Sequence, residues 1–319
     1  MLKTLLLYLS KARWARNLVT RWSFAWRAAS RFVAGDSLDQ GIEAVRLVNK
    51  KGMNVTLDHL GENVSSPDDA RRAAEDYLVL IDRICETGVK ANVSLKLTQL
   101  GLNLNGQVCL DNLRRVVSKA RECGGFVRID IEDSPTIDRT FQTYRALRSE
   151  GLDNVGVAVQ SYLYRSRDDV LSLAGSGARI RLVKGAYREP PNLAFQKKRE
   201  VDTNYDVLAA MMIDAAVADG SQPVSSDGRI PPRTAIATHD PARIEAAKQH
   251  AQRVGLPKSA LEFQMLYGIR RDLQESLAAE GYPVRIYVPY GTEWYPYTVR
   301  RLAERPANLW FFVSNFFRR

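Results

Sequence analysis

Several features are scarce or missing in this 319-residue chain, and each absence excludes a class of protein. The chain has three cysteines and three histidines. The cysteines, Cys85, Cys109 and Cys123, form no C-x-x-C pair and no even-numbered framework, so we expect a reducing compartment and no structural zinc. The histidines are scattered along the chain, and this spacing indicates no metal cluster.

Long apolar runs are also missing. No stretch approaches the length of a membrane-spanning helix, and the short run LLLYL at residues 5–9 is followed by no small-residue cleavage site. We therefore expect neither a transmembrane segment nor a secretory signal. The sequence predicts a cytoplasmic protein, with peripheral contact to the inner face of the membrane left open.

Acidic residues are absent from residues 1–34, which carry seven lysines and arginines and therefore +7 of the net charge of +10. Trp14, Leu18, Trp22 and Trp26 recur every four residues within this segment. A basic helix with an aromatic stripe can lie on an anionic membrane surface. The same stripe can instead pack on the rest of the protein, so both interpretations of this N-terminal helical arm stay open.

Past the arm, eight short β-branched runs alternate with longer helical patterns. Such alternation is typical of β/α units around a parallel sheet. No G-x-G-x-x-G follows any run, which favours a closed (β/α)8 TIM-type barrel over a doubly wound nucleotide-binding sheet. We predict an arm at residues 1–34, a barrel domain at residues 35–319, and strands at residues 53–58, 91–97, 126–132, 154–160, 178–184, 233–239, 261–266 and 284–289.

Two basic residues lie inside strand patterns, where a barrel usually has Val, Ile or Leu. Lys96 occurs in NVSLKLTQL and Arg181 in ARIRLVKGAY. A buried cation needs a carboxylate or an anionic ligand, and Asp130 on the neighbouring third strand is a plausible partner for Lys96. Lys96 could alternatively be a Schiff-base lysine, although a nearby carboxylate would raise its pKa and weaken that interpretation.

The final helical stretch, WYPYTVRRLAERPAN, places four polar side chains on one face. Tyr297, Arg300, Arg301 and Glu304 fall at i, i+3, i+4 and i+7. A solvated face would explain the stripe, and so would paired guanidinium groups that grip a carboxylate.

Eight motifs, taken in order, resemble those of the FAD-dependent proline dehydrogenases of the bacterial monofunctional type. They run from the second strand to the last helix and read SLKLTQLGL, RIDIEDS, VAVQSYLYR, RLVKGAYRE, ATHD, FQMLYGIR, YVPYG and WYPYTVRRLAERPAN. The resemblance implies a (β/α)8 barrel with noncovalent FAD at the strand ends. It also implies oxidation of L-proline to 1-pyrroline-5-carboxylate, electron transfer to a membrane quinone, and a separate 1-pyrroline-5-carboxylate dehydrogenase that acts next.

The resemblance assigns roles to residues at the strand ends. Asp130 and Arg181 would be catalytic, with Asp130 acting either as a proton acceptor or as a counter-ion. Arg181 would also contact the flavin, together with Ile131, Gln160, Val183, Lys184, Gly185, Ala186, Thr238, His239 and Gln264. The proline pocket would comprise Lys96, Leu266, Tyr287, Tyr297, Arg300 and Arg301, with Glu304 orienting an arginine; no metal is implied.

Two other functions compete with this one. A barrel lyase or aldolase could use Lys96 or Lys184 as a Schiff-base amine, with the arginines binding phosphate or carboxylate. A non-enzymatic protein could bind membrane or nucleic acid through the basic arm, with a steep salt dependence carried by residues 1–34. That second function leaves the polar strand ends unexplained, and we expect no nucleic-acid partner.

Overall fold

Eight parallel strands close into a barrel, in which each strand pairs with the next and β8 returns to β1. The computed structural model describes residues 30–61 and 64–304, apart from the side chains of residues 300–304. The strands are β1 (Asn54–His59), β2 (Ala91–Leu95), β3 (Val127–Ile129), β4 (Val155–Gln160), β5 (Ile180–Val183), β6 (Thr234–Ala237), β7 (Leu261–Leu266) and β8 (Val284–Tyr290). The predicted (β/α)8 TIM-type barrel is confirmed, since every predicted run overlaps one strand.

In the described part of the chain, one α-helix precedes the first strand and one α-helix follows each strand, with a short 3-10 helix (Lys258–Ala260) before β7. The helices are α1 (Leu38–Asn49), α2 (Pro67–Thr87), α3 (Gly106–Glu122), α4 (Ser134–Ser149), α5 (Ser166–Gly175), α6 (Lys198–Ala218), α7 (Pro241–Val254), α8 (Arg271–Ala279) and α9 (Trp294–Glu304). None of these described helices combines the length and hydrophobicity needed to cross a bilayer.

Local sequence signals explain where several of these helices begin and end. The side chains of Ser37, Ser66 and Asn105 accept hydrogen bonds from backbone amides in the first turns of α1, α2 and α3. Such caps satisfy amides that have no partner within the helix. Helix α2 ends at Gly88, whose φ of 65° lies in the left-handed region that glycine adopts most readily.

Most of the predicted arm, residues 1–29, lies outside the described residues. The last part of the arm packs on the barrel, where Phe32 and Val33 are buried and the Ala34 amide donates to the Pro289 carbonyl at 2.9 Å. This contact supports the packed interpretation for residues 32–34 alone. The domain boundary between residues 34 and 35 stays a prediction.

The two faces of the strands differ in chemistry, because successive side chains point to opposite sides. One face is apolar and packs against the helices, as with Val93, Val127 and Val155, which are register partners on β2, β3 and β4. The other face fills the barrel interior, here called the lumen, and is mostly polar or small, with Val183 and Leu266 as apolar members. Its polar and small members include Asn54, Thr56, Asp58, Asn92, Ser94, Arg128, Gly156, Ala158, Gln160, Arg181, Ala235, Ala237, Glu262, Gln264, Arg285 and Tyr287.

Small residues make room for the large cations of the lumen. Gly156 is the register partner of Arg128, and a Cβ at Gly156 would lie 2.6 Å from the Arg128 guanidinium and 2.4 Å from the Arg179 carbonyl. Arg181 lies between Ala158 and Ala235 on the two neighbouring strands. The glycine and alanines therefore determine where guanidinium groups fit inside the barrel.

A loop between α6 and β6 closes the end of the barrel where the strands begin. The Gly228 carbonyl accepts a hydrogen bond from Arg285 at 2.8 Å, and the Arg229 carbonyl accepts one from Asn92 at 2.9 Å. Gly228 has a φ of 70°, and a Cβ there would lie 2.1 Å from the Asn54 Oδ1. The lumen is consequently sealed at this end and can receive a ligand at the opposite end.

The expectation that the cysteines form no disulfide framework is wrong for two of them. Cys85 and Cys123 are disulfide-bonded, and their Cα atoms lie 6.0 Å apart. Cys85 lies in the last turn of α2 and Cys123 follows α3, so the bond joins two helices that pack side by side. Sequence spacing could not reveal this pair, because it depends on how α2 and α3 pack.

Thiol titration tests the disulfide. The unfolded, unreduced chain should expose one reactive thiol, that of Cys109, and the reduced chain all three. The native protein should react slowly, because burial raises the pKa of the Cys109 thiol to about 12 and leaves little thiolate. Cys109→Ala is the control and should show no thiol before reduction. Three thiols in the unfolded wild-type chain without reductant would contradict the bond.

Candidate active site

Charged and hydrogen-bonding side chains gather in the lumen near the ends of the strands. Arg181 on β5 is buried and lies near the centre of this group. Its Nε donates to the Gln264 Oε1 at 2.6 Å, and its Nη1 donates to the Asp130 Oδ1 at 2.6 Å and to the Ser94 hydroxyl at 3.1 Å. These partners lie on β2, on β7 and directly after β3, so the guanidinium is held in one position across the barrel.

Asp130 receives hydrogen bonds from three sides. Its Oδ1 accepts from Arg181 and from Ser94, and its Oδ2 accepts from the Tyr287 hydroxyl at 2.8 Å. Burial, followed by the charges of Asp130 and Asp58, raises the pKa of Tyr287 well above its ordinary value. Tyr287 therefore stays protonated and acts as a hydrogen-bond donor. The guanidinium of Arg181 also lies over the Tyr287 ring, 5.3 Å from its centroid.

The proposed pairing of Asp130 with Lys96 is wrong, because the carboxylate in ion-pair range of Lys96 is Asp58, at 3.6 Å. Asp58 lies on β1, so the pairing depends on strand register rather than on proximity in sequence. Burial alone would lower the pKa of Lys96, but the charges of Asp58 and Asp130 outweigh it and raise the pKa above its ordinary value. Lys96 is therefore an ammonium ion, which is unfavourable for a Schiff-base nucleophile.

Asp58 is a site residue that the sequence assignment of roles did not include. It is fully buried, and neither carboxylate oxygen has a hydrogen-bond partner among the described residues. Burial raises its pKa, and the Coulombic attraction of Lys96 opposes that shift. The signal available in the sequence was its place as the last inward-facing position of β1.

Most residues assigned to the flavin lie on β4, β5 and β6 or in the loops that follow, whereas Ile131 follows β3 and Gln264 lies on β7. Gln160 is buried, and its Oε1 has no partner among the described residues, so it can accept a hydrogen bond from a ligand. The Thr238 hydroxyl accepts from the Asp240 amide at 3.2 Å. The His239 Nε2 accepts from the Leu266 amide at 3.0 Å, which places the proton of the neutral ring on Nδ1.

Lys184, Gly185 and Ala186 follow β5 along one side of the opening. The Lys184 Nζ lies between two carboxylates, 2.5 Å from Asp202 on α6 and 2.7 Å from Asp240 at the start of α7. Sequence reasoning did not include either aspartate. Ala186 is exposed, so its backbone is accessible to a ligand.

The backbone conformation at position 185 and the packing around it require a glycine, whether or not a ligand binds there. Its φ is 119°, and a Cβ there would lie 2.3 Å from the ring of Tyr162. Tyr162 lies on the loop after β4 and was not assigned a role from the sequence. Ile131 and Val183 stand beside this group, with Ile131 buried after β3 and Val183 half-buried at the end of β5.

The final helix is described only in part. Tyr297 is buried in a second apolar cluster with Phe32, Leu60, Trp294 and others, and half-buried Leu266 packs against that cluster. The side chains of Arg300, Arg301 and Glu304 lie outside the described residues. Their helix, α9, follows β8 directly and therefore begins at the open end of the barrel.

A closed eight-stranded parallel barrel with charged groups at its strand ends defines a (β/α)8 barrel enzyme. The chain belongs to the proline dehydrogenase family, whose model, described as "Proline dehydrogenase", matches residues 42–313. It is therefore an oxidoreductase of proline catabolism.

Curated relatives of the same family align with nearly the whole of this chain. A proline dehydrogenase of Deinococcus radiodurans is 43% identical over 91% of this chain and 90% of its own length. Proline dehydrogenase 1 of Bacillus subtilis strain 168 is 37% identical over 98% of both chains. Among solved structures, proline utilization A from Bdellovibrio bacteriovorus inactivated by N-propargylglycine is similar, with a TM-score of 0.78 and 27% identity over 88% of this chain and 33% of that one.

The Asp130–Arg181 pair can be tested through stability. Asp130→Ala should lower the free energy of unfolding by about 3–5 kcal/mol, because Arg181 would become a buried, unpaired charge. Urea denaturation measures this difference. Glu275→Ala is the matched control, since Glu275 pairs with Lys51 at 2.7 Å with both side chains about half exposed, and it should change little. Equal, small effects of the two substitutions would contradict the buried pair.

Proposed function

We propose that the protein oxidises L-proline to 1-pyrroline-5-carboxylate with FAD as its cofactor. The observation that carries this proposal is the buried guanidinium of Arg181, fixed by Asp130 and Gln264 just below the open end of the barrel. A fixed cation in a low-dielectric site stabilises negative charge that develops beside it. Reduction of a flavin generates such charge.

The residues at the strand ends fit a flavin. The unpartnered Gln160 Oε1 offers an acceptor for an imide-like donor, and the Thr238 hydroxyl and exposed backbone after Gly185 offer further polar contacts. Lys184 supplies a positive charge on the same side of the barrel, although Asp202 and Asp240 share it. We assign the cofactor site to Ile131, Gln160, Arg181, Val183, Lys184, Gly185, Ala186, Thr238, His239 and Gln264.

FAD supplies the acceptor for the two electrons that leave the proline ring as a hydride from the carbon beside nitrogen. The residues of the chain must then orient that carbon, exclude water and manage the proton on nitrogen. Asp130 already accepts three hydrogen bonds, one of them from the guanidinium of Arg181, so we propose that it serves mainly as the counter-ion of Arg181. Lys96 and Asp58 would hold the adjoining polar wall.

Proline offers a carboxylate as its strongest handle. We propose that Arg300 and Arg301 grip it by charge-assisted, forked hydrogen bonds, with Glu304 orienting one guanidinium. Tyr287, Tyr297 and Leu266 would enclose the pyrrolidine ring, and Lys96 would complete the pocket. The Schiff-base alternative is less well supported, because Lys96 is protonated and Lys184 is paired with two carboxylates.

An absorption spectrum of the purified protein, taken before and after anaerobic addition of L-proline, tests the function. We expect oxidised flavin bands that bleach with L-proline and persist with D-proline. Arg300→Ala or Arg301→Ala should need about tenfold to a hundredfold more proline for the same rate, because each loses hydrogen bonds to a charged group. A colourless protein that FAD cannot reconstitute, and that borohydride traps on a substrate, would favour the lyase.

We further propose that the electrons pass to a membrane quinone and that the basic arm contacts anionic lipid. A separate dehydrogenase would then oxidise the product, since 1-pyrroline-5-carboxylate still carries an oxidisable carbon. Deleting residues 1–29 should lower binding to anionic vesicles while reduction of a soluble dye persists. Full vesicle binding by the truncated protein would contradict this role of the arm.

A further inference from the structure

We propose that Glu262 is a positioning residue that fixes the orientation of the Gln264 amide and, through it, the guanidinium of Arg181. The inference rests on the proposed role of Arg181 beside the flavin. Glu262 lies on β7 two residues before Gln264, is completely buried, and faces the lumen. It is too deep to contact a ligand at the open end and would act through its neighbours.

A continuous set of short hydrogen bonds links the sealed end of the lumen to Arg181. Arg285 donates to the Glu262 carboxylate through Nε at 2.9 Å and Nη2 at 3.0 Å. The Gln264 Nε2 donates to the Glu262 Oε1 at 2.6 Å, and the Gln264 Oε1 accepts from the Arg181 Nε at 2.6 Å. Each of these four side chains is buried.

The direction of the Gln264 amide follows from the chemistry of its two neighbours. An ionised carboxylate only accepts hydrogen bonds, and a guanidinium only donates them. The amide between them must therefore point its nitrogen at Glu262 and its oxygen at Arg181. The opposite orientation would place donor against donor at Arg181 and acceptor against acceptor at Glu262.

Arg285 keeps the first member of this series in place. Besides Glu262, it donates to the Val55 carbonyl at 2.9 Å and to the Gly228 carbonyl at 2.8 Å. The ion pair is completely buried, and its geometry is bidentate, which gives it directional as well as Coulombic preference. The closed end of the barrel thereby determines the orientation of a group at its open end.

Without the Glu262 carboxylate, the Gln264 amide would lose its preference for one orientation. In the reversed orientation it would repel the Arg181 Nε and leave that donor without a partner. Arg181 would keep Asp130 but would no longer be fixed on its second side. The reduced flavin would then be less stabilised, so the two-electron reduction potential should become more negative.

The test compares Glu262→Gln with wild type on three readouts: FAD affinity, the reduction potential of bound FAD, and the separate values of kcat and KM for L-proline. We expect FAD to stay bound and the KM for L-proline to change little, while kcat falls about tenfold. The equilibrium constant for flavin reduction should also fall about tenfold, which corresponds to a shift of about −30 mV in the reduction potential of a two-electron couple. Because Glu262→Gln leaves Arg285 unpaired, Glu262→Gln with Arg285→Gln serves as a second, charge-balanced variant with the same expected shift.

Thr56→Val is the matched control. It breaks another buried lumen hydrogen bond, from Thr56 to the Asn92 Oδ1 at 2.6 Å, outside the series. This substitution should lower the midpoint of thermal unfolding without changing the reduction potential of bound FAD. A wild-type potential in both Glu262 variants, or an equal shift in Thr56→Val, would overturn the positioning role alone. A wild-type protein that binds no FAD would overturn the proposed function as well.

Discussion

The buried ion pair between Arg181 and Asp130 constrains most of the architecture around it. A charge removed from water must be paired and hydrogen-bonded, because each unpaired buried charge lowers the free energy of unfolding by roughly several kcal/mol. In the described lumen, Arg181 and Asp130 satisfy this requirement with the help of Ser94, Gln264 and Tyr287. Five strands must therefore keep their relative register for this one pair to form.

Within the strands, the lumen carries more positive than negative groups. Among the strand residues that face it, the basic ones are Arg128, Arg181 and Arg285, and the acidic ones are Asp58 and Glu262. The hydrogen bonds of Arg128 go to the backbone carbonyls of Val157 and Arg179 instead of to a carboxylate. Burial and the charge of Arg181 lower the pKa of Arg128. A barrel with this surplus is electrostatically suited to an anionic ligand at its open end.

The fold was predictable because strand signals in this chain are local. Alternation such as V-G-V-A-V-Q fixes both the strand and its outward face, and the eight runs lie at regular intervals. The predicted strand ends were less accurate than the predicted strands. For example, β3 was predicted to extend to residue 132 but ends at Ile129. Polar positions of the site were also visible from alternation and from the family motifs.

Contacts across the barrel were not predictable from alternation. Lys96 pairs with Asp58 on another strand, and Lys184 pairs with Asp202 near the start of α6. Cys85 and Cys123 meet because two helices pack together, although 38 positions separate them in sequence. Such pairings depend on register and helix packing, which only the assembled barrel determines.

The close approach of the Arg128 guanidinium to Gly156 limits how the sequence of this barrel can evolve. A Cβ at position 156 would lie 2.4 Å from the Arg179 carbonyl and 2.6 Å from the Arg128 guanidinium, so a side chain there would require both groups to move. Position 156 therefore cannot accept a side chain while Arg128 and the Arg179 carbonyl stay where they are. The effect of a substitution at position 156 therefore depends on the residue present at position 128 on the neighbouring strand.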